Sequence, residues 1–221
     1  MKRLRRFMRR LRCARSGVAA VEFALTMPFL MVAGLYGAET SWYVLVNMQV
    51  SQIAVQVADN ASRVGDTSYL QDRRIYEADL NDLLLGANLN GGSMLKILQN
   101  GRIIISSLEV GPGTATTQYI HWQRCKGLKN YTSSYGVAGA SGLTGMGPAG
   151  HQVSTIPGEA VIFVEVAYDY QPLISSSFIR NRTITATASF YVRDDRDLTQ
   201  IYQINTASPD PVASCSTFSS S

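Results

Sequence analysis

The sequence predicts an α+β protein: a long amino-terminal helix whose first half crosses a membrane, a short second helix, and an antiparallel sheet of about four strands. Three observations carry this. An uninterrupted apolar run of 22 residues, Gly17 to Ala38, holds one charge. An apolar stripe at helical spacing continues beyond it to Val64. After about residue 100 the hydrophobic period changes from helical to two. Composition agrees, since 46% of the 221 residues are hydrophobic and 16% charged, against roughly 25% charged in an average soluble domain.

The chain opens on a basic leader, expected to span residues 1–17 and to be cleaved. Eight Lys and Arg and no acid fall within residues 1–16, which leaves the remainder with twelve basic and sixteen acidic side chains. A nucleic-acid-binding domain carries its basic stripe on the folded part. Here the folded part is acidic, so that class of partner is excluded.

The transmembrane helix is placed at residues 18–40. At ~1.5 Å per residue the apolar run reaches about 33 Å, enough for a hydrocarbon core of ~30 Å. No Lys or Arg lies between Arg15 and Arg63. The excess of positive charge on the leader side puts the leader in the cytoplasm and the rest outside it. A cleaved secretory signal is the alternative, but the run is long for one, and Tyr36 occupies the position three before Glu39. An uncleaved signal anchor remains open. Pro28 removes one backbone donor and should kink the helix, while Gly34 and Gly37 form a small-residue face that admits a second helix.

Beyond the span, Val46, Val50, Ile53, Val57, Ala61 and Val64 recur every three or four residues, a single apolar stripe. The helix then runs from about Gly17 to Val64 and forms the spine of an external α+β domain over residues 41–204.

Glu22 is the informative residue. A carboxylate inside an apolar span costs about 2.5–3.5 kcal/mol at a helix centre, so its presence implies a task. Arg15-Ser16-Gly17 closes the leader, Glu22 stands five residues after Gly17, and Phe23 follows. This resembles the type IV prepilin processing site, cut between Gly17 and Val18. The string Gly17-Val18-Ala19-Ala20-Val21-Glu22-Phe23-Ala24-Leu25 with Pro28 is similar to TadE-like minor pseudopilins of the tight-adherence (Tad/Flp) pilus system. Phe23 departs from the Tyr preferred in the major Flp pilin. The resemblance implies a pilin-like fold, maturation by a prepilin peptidase, and a structural role in assembling adherence pili. Its implied partners are the bacterial inner membrane, a second pseudopilin, Flp pilin and the inner-membrane Tad proteins. The expected location is single-pass in the inner membrane with the domain in the periplasm. Association through the embedded helix and the Val46–Val64 stripe is the expected mechanism, with Glu22 pairing charge at the Val18 terminus.

Ser68-x-x-Gln71 reads as a capping box before a second helix with Tyr76, Leu80, Leu83, Leu84 and Ala87 on its buried face, ended by Asn90-Gly91-Gly92. Strands are expected at Arg102–Val110, Gln118–Arg124, Ala160–Tyr170 and Thr183–Val192. In the third, Ile162, Val164, Val166, Tyr168 and Tyr170 share a face. In the fourth, Thr183, Thr185, Thr187 and Ser189 form a wet face. A Gly/Ser-rich loop fills residues 126–158, and residues 205–221 form a polar tail, expected to be mobile apart from Cys215.

Cutting after Gly17 removes Cys13 and leaves Cys125 and Cys215. An even pair in an oxidising compartment suggests a disulfide, which in the chain-entropy model would contribute roughly 4–5 kcal/mol. Two free buried thiols are the alternative. Gly145-x-Gly147-x-x-Gly150 matches a dinucleotide motif in letters only, having no helix signal after it. His121 and His151 show neither metal spacing nor a nucleophile, and Arg193–Asp197 reads as a solvated strand end. No cofactor, metal or catalytic residue is expected, and a structural subunit is favoured over an enzyme. The rival reading is a signal-anchored periplasmic ligand-binding or sensory module, in which the sheet binds a ligand and the helix only tethers it.

Overall fold

A computed structural model of the chain describes residues 16–65, 73–114, 116–179, 183–193 and 195–220. The elements run α1 (Ser16–Arg63), α2 (Glu77–Leu95), α3 (Ile97–Asn100), β1 (Gly101–Val110), β2 (Gln118–Lys126), β3 (Ser141–Leu143), β4 (Ala160–Asp169) and β5 (Thr183–Tyr191). Two compact units result: the described part of Met1–Tyr43 with Pro172–Arg180, and Val44–Gln171 with Asn181–Ser221. The expected α+β class is the one observed, with five strands rather than four.

α1 is helical for 48 residues and runs through Pro28. From Val46 onward its stripe is core. Val46, Val50, Ile53, Val57 and Ala61 are all buried, as are Ala54 and Ala58 beside them, and Val64 is half-buried. Arg196 closes the helix, its guanidinium donating to the carbonyls of Ala61 (3.2 Å) and Val64 (2.6 Å). A cation at this end meets the negative pole of the helix and its unpaired carbonyls. Arg196 is therefore buried, the exception to the solvated strand end expected at Arg193–Asp197, where Arg193 and Asp195 are exposed.

The predicted cap at Ser68 and Gln71 lies outside the described residues. α2 starts later, at Glu77, where the Asp79 carboxylate accepts the Tyr76 N–H at 3.0 Å. Leu80, Leu84 and Ala87 are buried as expected. Gly92, at φ 57°, breaks the helix where the glycine pair predicted an end, but helical bonding resumes to Leu95 before Lys96 turns left-handed and donates to Gly92 O at 3.1 Å.

The sheet is antiparallel in the order β3-β2-β1-β4-β5. Strand β4 is buried on both faces, whereas the alternating pattern singled out one. The reason lies in the Gly/Ser-rich loop. It contributes the short strand β3, which the sequence did not reveal, and it folds back onto the sheet. Met146 of this loop joins Leu108, Ile120, Val161 and Phe163 in a buried cluster edged by Tyr135, Ala140, Leu143 and Val153. On the other face, Ile103 pairs with Val166 and Ile105 with Val164. In β5, Ile184 is buried while Thr185 and Thr187 are exposed, matching the expected wet face.

Cys125 and Cys215 are joined by a disulfide, with Cα atoms 4.7 Å apart. The tail is tied down well beyond that bond. Cys125 N–H donates to Ala213 O and Gly127 N–H to Ser219 O, each at 2.8 Å. Asn81 reaches Pro211 O at 2.8 Å. Cys215 is thus not the single attachment: main-chain amides of the β2 end, Asn81 and the buried Arg102 also hold residues between 211 and 219, a kind of partner that a Ser-rich composition does not disclose.

Candidate functional site

The predicted processing and pairing residues, Gly17, Val18, Glu22 and Phe23, all lie in the first two turns of α1 and are exposed. A β-carbon built on Gly17 would meet nothing within 4 Å, and the same holds at Gly34 and Gly37. The glycine face is thus open to close approach by another helix. Thr26 Oγ1 donates to the carbonyls of Glu22 (3.0 Å) and Phe23 (3.3 Å), so its hydroxyl is satisfied without water, as a polar side chain in an apolar run requires.

Side chains along this run face outward on every side. Val18, Phe23, Phe29 and Leu30 are each more than half exposed, Phe29 at 77%. A soluble domain rarely leaves such a surface open, and α1 is the one described helix long and apolar enough to cross a membrane. At its end stands a residue that sequence reasoning passed over. Glu39 is fully buried and accepts backbone N–H groups from Leu173, Ile174 and Ser175. Its only signal was an acid directly after the apolar run.

The stripe is placed differently from its expected use. Because Val46, Val50, Ile53, Val57 and Ala61 are consumed by their own domain's core, they are not free to meet a partner. The side of α1 left open carries Val44, Leu45, Met48 and Val55, each about half exposed. Leu45, Met48, Gln52 and Val55 follow the spacing of one helix face.

His121 is the extra residue of a β-bulge, since Ser107 pairs with Trp122 and Leu108 with Ile120; a bulge re-aims its side chain. Its Nδ1 lies 3.0 Å from Glu109 Oε2, and Ser107 Oγ donates to Glu109 Oε1 at 2.7 Å. The serine thus points to the acid rather than to the imidazole. Burial and the Glu109 charge push the neighbouring Tyr119 hydroxyl up from its usual value. His151 lies in an exposed turn. Among the described residues no group of three or more His, Cys, Asp or Glu side chains is placed to hold a metal.

Gly145 and Gly147 permit a close crossing of the backbone. Met146 bridges to Val153, and a β-carbon on Gly145 would stand 2.5 Å from Val153 O, one on Gly147 2.9 Å from His151 O. Glu165, another residue missed in the sequence, holds the same loop from β4. It accepts from Ser133 Oγ, from Ser134 N–H at 3.0 Å and from Tyr131 Oη at 3.5 Å. Desolvation raises its pKa from the ordinary carboxylate value, against the opposing pull of those hydrogen bonds.

The segment that gathers the unexplained features is therefore α1. Residues 17–65 match the family model described as TadE-like protein. No curated protein and no solved structure matches the chain. From Gly17 to Gly65, a stretch that takes in the apolar run, Glu22 and the buried stripe but is well under half of the chain, the sequence is similar to this TadE-like family.

Proposed function

We infer that the chain is a single-pass membrane subunit associated with a Tad pilus, acting as a minor pseudopilin in the assembly of Flp-type adherence pili. The observation that carries this is the conjunction, within one TadE-like segment, of an outward-facing apolar run and a single intramembrane acid, Glu22. Lipid or other helices are the environments that suit such a surface, and a lone carboxylate in it favours a paired positive charge.

In this reading a prepilin peptidase cuts after Gly17 and frees the Val18 amino group, about one helical turn from Glu22. The basic leader stays cytoplasmic and the sheet domain lies in the periplasm. Subunits then associate through the span, with its open Gly34 and Gly37, and through the open face at Leu45, Met48 and Val55. The second pseudopilin, Flp pilin and the inner-membrane Tad proteins are the partners. The role is structural rather than catalytic.

The test is the amino-terminal sequence of protein extracted from the membrane of its native cell. Val18 as first residue supports the reading, and Gly17→Leu should then abolish shortening while membrane insertion persists. Met1 as first residue, or an unaltered shortened product from Gly17→Leu, overturns processing at this site and leaves the helix as a plain anchor.

A further inference from the structure

Glu39 follows directly on the exposed apolar run, yet it is fully buried. Its carboxylate accepts N–H groups from Leu173 (3.3 Å), Ile174 (2.7 Å) and Ser175 (3.4 Å). One turn earlier, Tyr36 meets Phe178 edge to face with centroids 5.8 Å apart. These two attachments hold the segment from Pro172 to Ile179, which links β4 to β5, against the last turn of the run.

The first half of the segment is built the wrong way round for water, while Ser176 and Ser177 after it are exposed. It has no charged side chain. Three of its amides turn inward to Glu39, while Leu173 and Ile174 remain 58% and 41% exposed. Near hydrocarbon that arrangement is favourable, because an unpaired amide there is costly and an apolar side chain is not. Tyr36, Trp42 and Tyr43 lie within about 10 Å of one another along the helix axis, and aromatic residues of this kind collect at the headgroup level. The depth at which Glu39 fixes the segment is thus the depth at which the span leaves the bilayer.

We propose that Pro172–Ile179 is a second membrane contact, with Leu173 and Ile174 entering the lipid interface beside the exit of α1. The occupant of this apolar surface is the bilayer itself, because the surface is continuous with the span. The inference rests on the reading of Gly17–Ala38 as transmembrane and not on any role in a pilus.

The test uses the full chain with Cys13→Ser, its Cys125–Cys215 disulfide intact, reconstituted into vesicles of phosphatidylethanolamine and phosphatidylglycerol. Single cysteines replace Leu173, Ile174, Leu30 or Ala207, and each carries an environment-sensitive fluorophore. Lipids spin-labelled near the headgroup end of the acyl chain serve as the quencher for positions 173, 174 and 207, and lipids labelled near the methyl end of the chain for position 30, which lies at mid-span. Emission at positions 173 and 174 should shift to the blue and be lost on adding the quencher, as at position 30 but not at the exposed position 207. Probes at 173 and 174 that behave as the one at 207 overturn the proposal. So do probes that shift to the blue yet escape the lipid quencher, which would mean contact with protein, such as a second copy. An unquenched probe at 30 sinks the span reading and this inference with it, so the two failures are distinguishable.

Discussion

The guanidinium carbon of Arg102 lies 4.1 Å from the ring centroid of Phe218. Arg102 is 1% exposed, and burial lowers its pKa from the usual arginine value. Its compensation comes from the ring and from the carbonyls of Gly127 (3.2 Å), Thr217 (3.1 Å) and Cys215 (2.7 Å). A residue at the start of a central strand is thus the clasp for the tail.

Arg102→Met should lower the stability of the detergent-solubilised chain by about 1–3 kcal/mol, the cost of leaving buried acceptors unpaired. Limited proteolysis should then cut between Ser216 and Ser219 faster than in the parent. Arg102→Lys restores charge without the planar fork and should fall between. An unchanged unfolding midpoint together with unchanged cleavage would remove the clasp from the account.

The disulfide ties down the same residue that the clasp reaches, since Arg102 donates to Cys215 O. Peptide mapping without reductant should yield one linked pair containing Cys125 and Cys215. Cys215→Ser should destabilise the domain by up to roughly 4–5 kcal/mol, the chain-entropy value for a loop of this length. Free alkylation of both sulfurs in protein taken directly from the cell envelope is the contrary result.

Glu165 gives a pH dependence of defined sign. Its folded pKa is raised above the ordinary value of 4.5, so the folded state binds the proton more tightly than the unfolded chain. Between those two values, stability contributed by this group rises as pH falls. Glu165→Gln is neutral throughout and keeps an acceptor for Ser134. The advantage of the variant over the parent should therefore be largest at neutral pH and shrink towards pH 4.5, read from denaturation midpoints at each pH. A difference independent of pH would show that burial does not control this carboxyl.

The two sides of α1 should separate folding from assembly. Ile53→Ala removes a buried side chain and should cost about 2–5 kcal/mol. Val55→Ser, on the open face, should stay within about 0.5 kcal/mol of the parent yet reduce co-purification of pilus partners. Equal partner recovery from Val55→Ser and the parent would take this face out of the assembly reading.

Glu22→Gln keeps the shape and removes the charge. It should insert and fold normally but fail in partner association and piliation, with Glu22→Asp intermediate. Removing one partner of a desolvated charge pair is strongly unfavourable, hence the expected loss. Normal piliation with Glu22→Gln would confine Glu22 to recognition by the peptidase.

Much of this was legible because side-chain period reports burial. The strands β1, β2, β4 and β5 lie within two residues of their predicted bounds, and the Val46–Ala61 stripe proved to be core. What periodicity could not report is the partner. The same stripe fits a neighbouring subunit or its own domain equally well, and only the fold decides. β3 is three residues long and contains a glycine, so no alternation could develop. Met146 and Val153 cover the sheet from a loop, where apolar residues have no fixed spacing. Glu39 finds its partners 134–136 residues away, and they are main-chain amides, which no side-chain pattern records. Ser107, Glu109 and His121 are brought together by a bulge, an offset that period-two reading smooths over.

The 90-residue separation of Cys125 and Cys215 sets an order of events during biosynthesis. At about 5–20 residues per second, Cys125 waits roughly 5–20 s for its partner to be made. Throughout that interval the one other cysteine already in the chain is Cys13, and joining it would be an error. The apolar run stands between those two sulfurs. With the topology proposed above, it would keep them on opposite sides of a barrier that neither can cross. The span would then also serve as a proofreading device for oxidation, by denying the early thiol its wrong match until the right one emerges.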